Sequence, residues 1–277
     1  MLACVVDIEF AWGYQCNVIG LSRSPTPYLY PPPSTFLGAI AESLAKKYGL
    51  GEDVIMSSKV IKELSVNLCA IAFRPLNFVP TKSVSLERII AIKITGGKLY
   101  PTPADITASF DAVKRGLTLA SPLEDSSPTI RLIVVFKENT ITINSKSIKL
   151  SDDIMWHMHR LGSRESIISV TSVYSTNNVR SYANSKILTR YCFPEALGVK
   201  LLQASGIWKI ESYVNPYDLS RPVIFKIIEQ KDLIPYRVPV LTSTIREPKS
   251  LVGFNGKWCA YEIEYDGERE AIIGLVR

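Results

Sequence analysis

Residues 1–10 read MLACVVDIEF, and this stretch decides how the fold begins. Asp7 and Glu9 alternate with Ile8 and Phe10, so polar and apolar side chains point to opposite sides of an extended chain. Such alternation is typical of a strand with one face buried in a core. We therefore expect the first strand of a sheet here.

A helix is predicted within residues 31–51, PPPSTFLGAIAESLAKKYGLG. Ser34 directly follows the prolines and is the expected N-cap, because its hydroxyl can accept from a free backbone N–H. Apolar residues then recur at helical spacing as far as Tyr48, and Gly49 with Gly51 supplies the stop. The chain thus opens as strand, long loop and helix.

The following elements complete a β-α-β … β-α-β order. Strands are predicted at residues 65–74, 88–95, 129–136, 139–143 and 166–175, with a hairpin turn at Gly96-Gly97. A second helix is predicted from a cap at Ser151 or Asp152 through Leu161, with Gly162 as its stop. This order predicts a ferredoxin-like (RRM-like) domain over residues 1–175 and an α+β fold class.

An insertion is expected in that domain at about residues 76–128. Its second half is rich in Pro, Ser, Thr and Asp, and only residues 112–119 have the pattern of a short helix. The insertion therefore lies outside the expected core of the domain.

Residues 176–277 are expected to form a β-rich C-terminal domain. Strands are predicted at residues 186–193, 207–214, 222–228, 236–242, 257–265 and 269–276. A short helix is predicted at residues 194–204, and Asn255-Gly256 and Asp266-Gly267 are predicted hairpin turns. With no flexible linker before it, this part should pack on the first.

Charge is unevenly distributed along the 277 residues, whose net charge is +6 with a pI near 9.0. Residues 154–209 contain seven basic and only two acidic residues, whereas the C-terminal end is acidic. A polyanion would therefore contact the middle of the chain. The alternative is a solvated basic surface without a ligand.

The cysteines and histidines favour a reducing compartment and no metal. Five cysteines are widely spaced with no CxxC, which argues against disulfides and zinc ribbons. His157 and His159 are two residues apart on a predicted helix and cannot chelate one ion together. Without a cofactor motif, signal peptide or membrane-length apolar run, we expect a cytoplasmic protein with no cofactor.

A basic edge is predicted where the second helix ends. His157 and Arg160 lie one helical turn apart, and Gly162, Ser163 and Arg164 open the next loop. Backbone N–H groups in such a turn, together with the cations, could contact phosphates. Cations that neutralise a helix C-terminus are the alternative, and Ser163 is expected to be a turn hydroxyl, because GSRES is not a nucleophile elbow.

The loop of residues 10–33 is rich in aromatic side chains. Trp12, Tyr14, Tyr28 and Tyr30 occur with Arg23, a combination that single-stranded bases can stack on. Core packing beside a rigid proline turn is the alternative, and it is favoured for Tyr28 and Tyr30. The RRM signature of basic residue, aromatic, Gly and Phe is missing.

Three motifs resemble one known family in the right order. They are FAWGYQ at 10–15, SPTPYLYPPPSTFLGAIAESLA at 24–45 and MHRLGSRESIISV at 158–170. With them the chain resembles the CRISPR-associated RAMP proteins of Cas family five, in particular the archaeal type I-A version. The resemblance covers most of the first 175 residues, and the C-terminal part adds only general β character.

The resemblance implies a ferredoxin-like domain with a thumb-like insertion and a non-catalytic role in antiviral defence. Such a subunit binds the 5′ handle of the crRNA at one end of the Cascade complex. Its partners would be crRNA, the Cas family seven backbone subunit, the large and small Cascade subunits and the helicase–nuclease. Arg160–Ser166 would be the RAMP glycine-rich loop, and Lys114 and Arg115 of the thumb would contact the RNA backbone.

Two other functions stay open. One branch of the family cuts crRNA without a metal, and His157 with nearby tyrosines could carry protons in such a reaction. The third possibility is an unrelated α+β enzyme with a small-molecule pocket.

Overall fold

Three helices belong to the part of the chain that the structure, a computed structural model, describes. That part comprises residues 1–17, 26–51, 53–90, 93–95, 98–100, 110–220, 233–245 and 247–277. The helices are α1 (Pro33–Tyr48), α2 (Val54–Asn67) and α3 (Asp152–Trp156). Strands make up most of the remainder, which confirms an α+β protein.

The strands of the described part are numbered in chain order. They are β1 (Leu2–Phe10), β2 (Gly13–Tyr14), β3 (Leu68–Pro75), β4 (Phe78–Ile90), β5 (Lys93–Thr95), β6 (Lys98–Tyr100), β7 (Phe110–Pro122), β8 (Thr129–Phe136), β9 (Thr140–Ile143), β10 (Lys146–Lys149), β11 (Ile168–Thr176), β12 (Arg180–Thr189), β13 (Phe193–Pro194), β14 (Val199–Ser205), β15 (Ile207–Val214), β16 (Leu233–Val240), β17 (Lys249–Tyr265) and β18 (Glu268–Leu275).

An antiparallel sheet of order β11-β1-β8-β3 forms the centre of the N-terminal part. In order of sequence its strands are fourth, first, third and second, which is the ferredoxin-like arrangement predicted from the sequence. Asp7 of β1 lies opposite Arg131 of β8 on one side and Ser172 of β11 on the other. The alternation of β1 thus places Asp7 on one face and Ile8 on the other.

The first helix ends as predicted but begins differently. Gly49 is left-handed (φ +59°), and its N–H reaches the carbonyls of the last turn. At the other end Pro33 occupies the first turn and Pro32 is the N-cap, without a side-chain hydrogen bond. The helix therefore begins before Ser34, which lies inside it and is not the cap. A proline can occupy the first helical position, because its missing N–H would have no helical partner there.

The second helix, α2, was not predicted. Asp53 caps it by accepting a hydrogen bond from the Met56 N–H. Because α2 continues to Asn67, the strand predicted at 65–74 begins only at Leu68. Its residues include Ile55 and Val60, whose β-branched side chains favour strands locally but are accommodated here on a helix packed against α1.

A long hairpin replaces the irregular insertion that the sequence suggests. Strands β4 and β7 pair from Phe78 opposite Pro122 to Ile90 opposite Phe110. The short helix predicted at 112–119 is wrong, because those residues pair across the hairpin along their whole length. Thr95 pairs with Lys98, although the predicted turn at 96–97 itself lies outside the described residues.

The third helix is shorter than predicted. It ends at Trp156 with His157 as the C-cap, so residues 157–161 are not helical. Their backbone turns back instead, since the Leu161 N–H donates to Ser166 and the Ile168 N–H donates to His159. The helical spacing of Met158 and Leu161 reflects two buried side chains in a loop.

The C-terminal part is all β where described. Strands β12, β17 and β14 form one sheet in which β18 also pairs with β17, and β13, β16 and β15 form another. The helix predicted at 194–204 is wrong, because these residues include strand β14. The strand predicted at 222–228 lies outside the described residues.

One of the two predicted hairpin turns is confirmed. Asp266 (φ +52°) and Gly267 (φ +72°) join β17 to β18. Asn255-Gly256 is not a turn, because the long strand β17 runs through it. There Gly256 has φ +66°, at an irregularity in the pairing with β12.

The C-terminal sheet packs closely on the ferredoxin-like sheet. A Cβ on Gly274 of β18 would lie 2.2 Å from the Cys69 carbonyl oxygen of β3, so only glycine fits. Arg131 lies 4.7 Å from the ring of Tyr265, which covers the sheet face that carries Asp7. Buried apolar residues of both parts form one cluster, and the division into domains at residue 175 stays a prediction.

Candidate nucleic-acid interface

The glycine loop, defined as Arg160–Ser166, connects the end of α3 to β11. Two hydrogen bonds fasten it to the segment that follows β1, and a third lies within the loop. The Gln15 N–H donates to Ser166 Oγ (2.9 Å), the Trp12 indole donates to the Glu165 carbonyl (2.8 Å), and the Ser163 and Ser166 hydroxyls are 2.9 Å apart. The loop is thus held against the segment that follows β1, and Ser163 is the turn hydroxyl that the sequence predicts.

Glycine is required at position 162. Gly162 has φ +85°, a conformation that side chains disfavour. A Cβ there would also lie 3.2 Å from Cys16 Sγ. Burial raises the pKa of the Cys16 thiol to about 12, so the thiol beneath the loop stays protonated. The loop can therefore pass close to this neighbour only because residue 162 has no side chain.

Arg160 is paired inside the protein. Its guanidinium binds the Glu42 carboxylate of α1 with two hydrogen bonds, of 2.9 Å and 2.8 Å. Lys46 lies 2.8 Å from the same carboxylate. Burial alone would raise the pKa of Glu42, but the hydrogen bonds from Arg160 and Lys46 hold it below its ordinary value. Arg160 thus orients the loop and adds positive charge. Its guanidinium already donates two hydrogen bonds to Glu42.

Arg164 is the cation that the loop presents to solvent. It is exposed, and it has no ion pair or hydrogen bond with the described residues. Gly162 beside it is also exposed. A phosphate could therefore reach the Arg164 guanidinium without displacing a protein partner.

His157 caps α3 on the same side of the protein. Its Nδ1 contacts the Asp153 carbonyl oxygen, and the ring is exposed. Asp153 is bound by Lys47 of α1 at 2.9 Å, and Lys46 Nζ lies 3.4 Å from His159 Nε2. The basic residues predicted from the third motif therefore meet the last turn of α1.

The sequence prediction missed Lys46 and Lys47, although two basic residues in the last turn of a helix are a recognisable pattern. Only the packing of α1 against α3 shows that they lie beside residues more than 100 positions away. We call the combined cluster the α1–loop surface; its members are Lys46, Lys47, His157, His159, Arg160 and Arg164.

Tyr28 does not offer a ring to a base. It is only 9% exposed, its hydroxyl donates to the Ser212 carbonyl (3.1 Å), and its ring packs on Tyr213 at 5.1 Å. Burial, and then the nearby Glu211, raises the pKa of Tyr28 to about 12. The prediction of a stacking residue is corrected here: the core-packing alternative holds.

Glu211 of β15 holds the segment that contains Tyr28 and Leu29 in place through hydrogen bonds. Its carboxylate accepts from the Leu29 N–H (2.7 Å), from Tyr213 Oη (2.6 Å) and from Lys82 Nζ of the hairpin (3.0 Å). The sequence prediction missed this residue, since a glutamate in an exposed-looking strand has no distinguishing local pattern.

The other predicted contact residues are only partly described. Lys114 and Arg115 lie on β7, in register with Leu86 and Ser85 of β4, so both belong to the hairpin. Arg23 lies outside the described residues.

Comparison with known proteins places the chain in a family. No protein-family model and no curated protein matches it. A solved structure described as the crystal structure of a CRISPR protein from Archaeoglobus fulgidus is 35% identical, with a TM-score of 0.71 over 100% of both chains. The chain belongs to the CRISPR-associated proteins.

In the described part of this CRISPR-associated protein, β1, β8 and β3 present no open sheet face of the kind that RRM domains use. The face that carries Asp7 and Arg131 is covered by Tyr265 and the adjoining β17–β18 hairpin. Bases therefore cannot stack there as they do on an RRM sheet. This leaves the α1–loop surface and the β4–β7 hairpin as candidate contact regions.

All five cysteines of the CRISPR-associated protein are buried free thiols. Within the described ranges, no three His, Cys, Asp or Glu side chains are grouped so that they could hold a metal ion. None of the helices described is both long and apolar enough to cross a membrane.

Proposed function

We propose that this protein is the Cas family five subunit of a type I-A Cascade complex in the cytoplasm, with antiviral defence as its role. It holds the 5′ handle of the crRNA without cutting it and caps the Cas family seven backbone. Its further partners are the large and small subunits and the helicase–nuclease. The observation that carries the proposal is a fastened glycine loop with an exposed Arg164 that has no ion pair among the described residues, four positions after Arg160 of the cation cluster.

The electrostatics of the α1–loop surface support RNA binding. Its four permanent cations are Lys46, Lys47, Arg160 and Arg164, and the carboxylates paired with them are Glu42 and Asp153. With the exposed Glu165 of the loop itself, four cations stand against three carboxylates, which leaves an excess of one positive charge. A phosphate backbone attracted to such a surface is bound with a strong dependence on salt concentration.

The hairpin supports the same function through its shape. Strands β4 and β7 each span 13 residues, and β2 pairs only with the base of β7, at Gly13 opposite Leu119. A paired arm of this kind matches the thumb that the family resemblance implies, and Lys114 and Arg115 lie on it.

Salt-dependent binding of labelled RNA tests the proposal. We expect RNA with a 5′ repeat handle to bind more tightly than a scrambled RNA of equal length, when the protein is mixed with its backbone partner. Arg164→Ala should weaken binding to all sequences and reduce the slope of log K against log salt by about one. Lys62→Ala, an exposed lysine of α2, is the matched control. Equal binding of both RNAs would refute the proposal.

A crRNA-processing endoribonuclease is the second candidate, and the ring of His157 favours it. Because Nδ1 faces the Asp153 carbonyl oxygen, it carries the proton in the neutral ring, and Nε2 is left to accept one. Incubation of repeat RNA with the protein in EDTA tests this function. We expect intact RNA; cleavage that is lost in His157→Ala would establish the nuclease instead.

A further inference from the structure

A groove lies on the outer face of the C-terminal sheet, away from the residues of the α1–loop surface. Its volume is about 1250 Å³, and strands β12, β14 and β17 form its floor. Along β17 the side chains alternate: Val252 and Phe254 are buried in the core, whereas Gly253 and Asn255 face outward. The groove is thus the solvent face of a half-buried sheet.

Gly253 makes the groove deep. It pairs with Lys186 of β12 on one side and with Lys200 of β14 on the other. Adjacent strands lie about 4.8 Å apart, so the backbones of the two lysines are roughly 10 Å apart. Gly253 between them has no side chain. Leu202 leans over this gap, with its Cδ1 3.3 Å from the place of a Cβ on Gly253.

The charge of the groove is positive and unneutralised. Lys186, Lys200 and Lys257 line it, and no carboxylate among the described residues does. The ammonium groups of these three lysines have no ion pair or hydrogen bond with any residue that the structure describes, and that of Lys257 lies 5.6 Å from the ring of Trp258. Elsewhere in the described part most arginines are paired, for example Arg190 with Glu268 and Glu270. The lysines are therefore available to an acidic ligand.

Exposed leucines adjoin the lysines. Leu197 is 98% exposed and Leu202 is 49% exposed, and Leu188, two residues along β12 from Lys186, is 58% exposed. Leu197 is held in this position, because the Trp258 indole donates to its carbonyl oxygen at 3.0 Å. Single exposed leucines are common on protein surfaces, but two lining one groove, with Leu188 farther along the same strand as Lys186, indicate a contact surface.

We propose that this groove docks a segment of a partner protein that carries leucine-type side chains flanked by carboxylates. Lysines at both edges fit the carboxylates, and the leucines fit apolar side chains. RNA is a poorer match, because leucines gain nothing from phosphates and Phe254, the aromatic residue among the described lining, is only 4% exposed. The inference does not depend on the proposed RNA function.

Peptide selection on the full chain tests this docking site. A displayed library of random peptides about twelve residues long, enough to cross the sheet when extended, is selected on the wild type and counter-selected on Gly253→Phe. That substitution places a ring in the groove, and its Cβ meets only the side chain of Leu202. Selected peptides should combine Asp or Glu with Leu, Ile or Phe.

Affinities of a selected peptide then locate the site. We expect a roughly tenfold loss in Lys186→Glu/Lys200→Glu and a roughly fivefold loss in Leu197→Ser, whose exposed side chain the fold does not need. Lys62→Glu/Lys209→Glu, two exposed lysines outside the groove, should change affinity by less than about twofold.

Two results would overturn the docking site. One is a library from which no acidic, apolar peptide sensitive to Gly253→Phe is enriched. The other is a uridine oligonucleotide that loses affinity in Lys186→Glu/Lys200→Glu and displaces the selected peptide, which would make the groove an RNA site.

Discussion

Arg160 of the glycine loop and Glu42 of α1 form a two-pronged ion pair across 118 positions of sequence. The pair aligns the loop with α1, so that Lys46 and Lys47 come to lie beside it. The motif suggests that Arg160 binds a phosphate, but its guanidinium is already bound by the Glu42 carboxylate. Arg164, four positions later, is exposed and has no ion pair with any residue in the described ranges.

Because Arg160 is paired and Arg164 has no ion-pair partner in the described part of the chain, substituting each arginine should affect different properties of the protein. Arg160→Ala should lower the free energy of unfolding by about 1–2 kcal/mol, because it removes two charged hydrogen bonds from a partly exposed pair. Arg164→Ala should leave stability unchanged and lower only RNA affinity. Urea denaturation of both variants checks this, and Arg160→Lys is the control for charge. Equal stability losses would show that Arg164 is paired as well.

The pH dependence of stability should report on Glu42. Despite its burial, hydrogen bonds from Arg160 and Lys46 lower the pKa of this carboxyl in the folded protein. A carboxylate with a lowered folded pKa stabilises the fold above its unfolded pKa of about 4.3, and this contribution is lost as the pH falls through the folded value. Relative to wild type, Glu42→Gln should be less stable at pH 7, and the gap should close in acid. Thermal unfolding from pH 7 to pH 3 measures it; a constant gap contradicts the argument.

Glycine substitutions test the geometry of the loop. Gly162→Ala should destabilise the protein by about 1–3 kcal/mol, because position 162 is left-handed and lies against Cys16. Gly38→Ala on α1 has no atom within 4 Å of its new Cβ and should stabilise by about 0.5–1 kcal/mol. The two shifts in Tm therefore have opposite signs. A neutral Gly162→Ala variant would mean that the loop relaxes without cost.

Glu270 should contribute strongly to stability where the C-terminal sheet packs on the ferredoxin-like sheet. It is 2% exposed and lies 3.1 Å from Arg74 and 3.0 Å from Arg190. Glu270→Gln should cost about 3–5 kcal/mol, because it leaves the half-buried Arg74 without its carboxylate and removes the buried one of the carboxylates around Arg190. Glu268→Gln, an exposed partner of Arg190, should cost far less. Guanidinium denaturation compares them, and similar midpoints for both variants would contradict a buried network.

The sequence prediction succeeded where structure depends on local pattern. The alternation in residues 1–10, the stop at Gly49 and the turn at Asp266-Gly267 are set by side chains within a few positions, so β1, α1 and the β17–β18 hairpin were recognisable. The prediction failed at residues 112–119 and 194–204. Both segments pair with strands distant in sequence, and those hydrogen bonds outweigh a weak helical preference.

Some features of the candidate site could likewise be predicted from the sequence, and others depend on packing. By itself the sequence determined the ferredoxin-like order of strands and helices and the glycine loop, since both rest on periodicity and on a glycine that tolerates φ +85°. Only the tertiary structure decided which cations are available. Packing brought Glu42 to Arg160 and placed Tyr28 in the core, but it left Arg164 and the lysines of the C-terminal groove exposed. Charge neutralisation and burial are properties of neighbours in space, which a linear sequence does not specify.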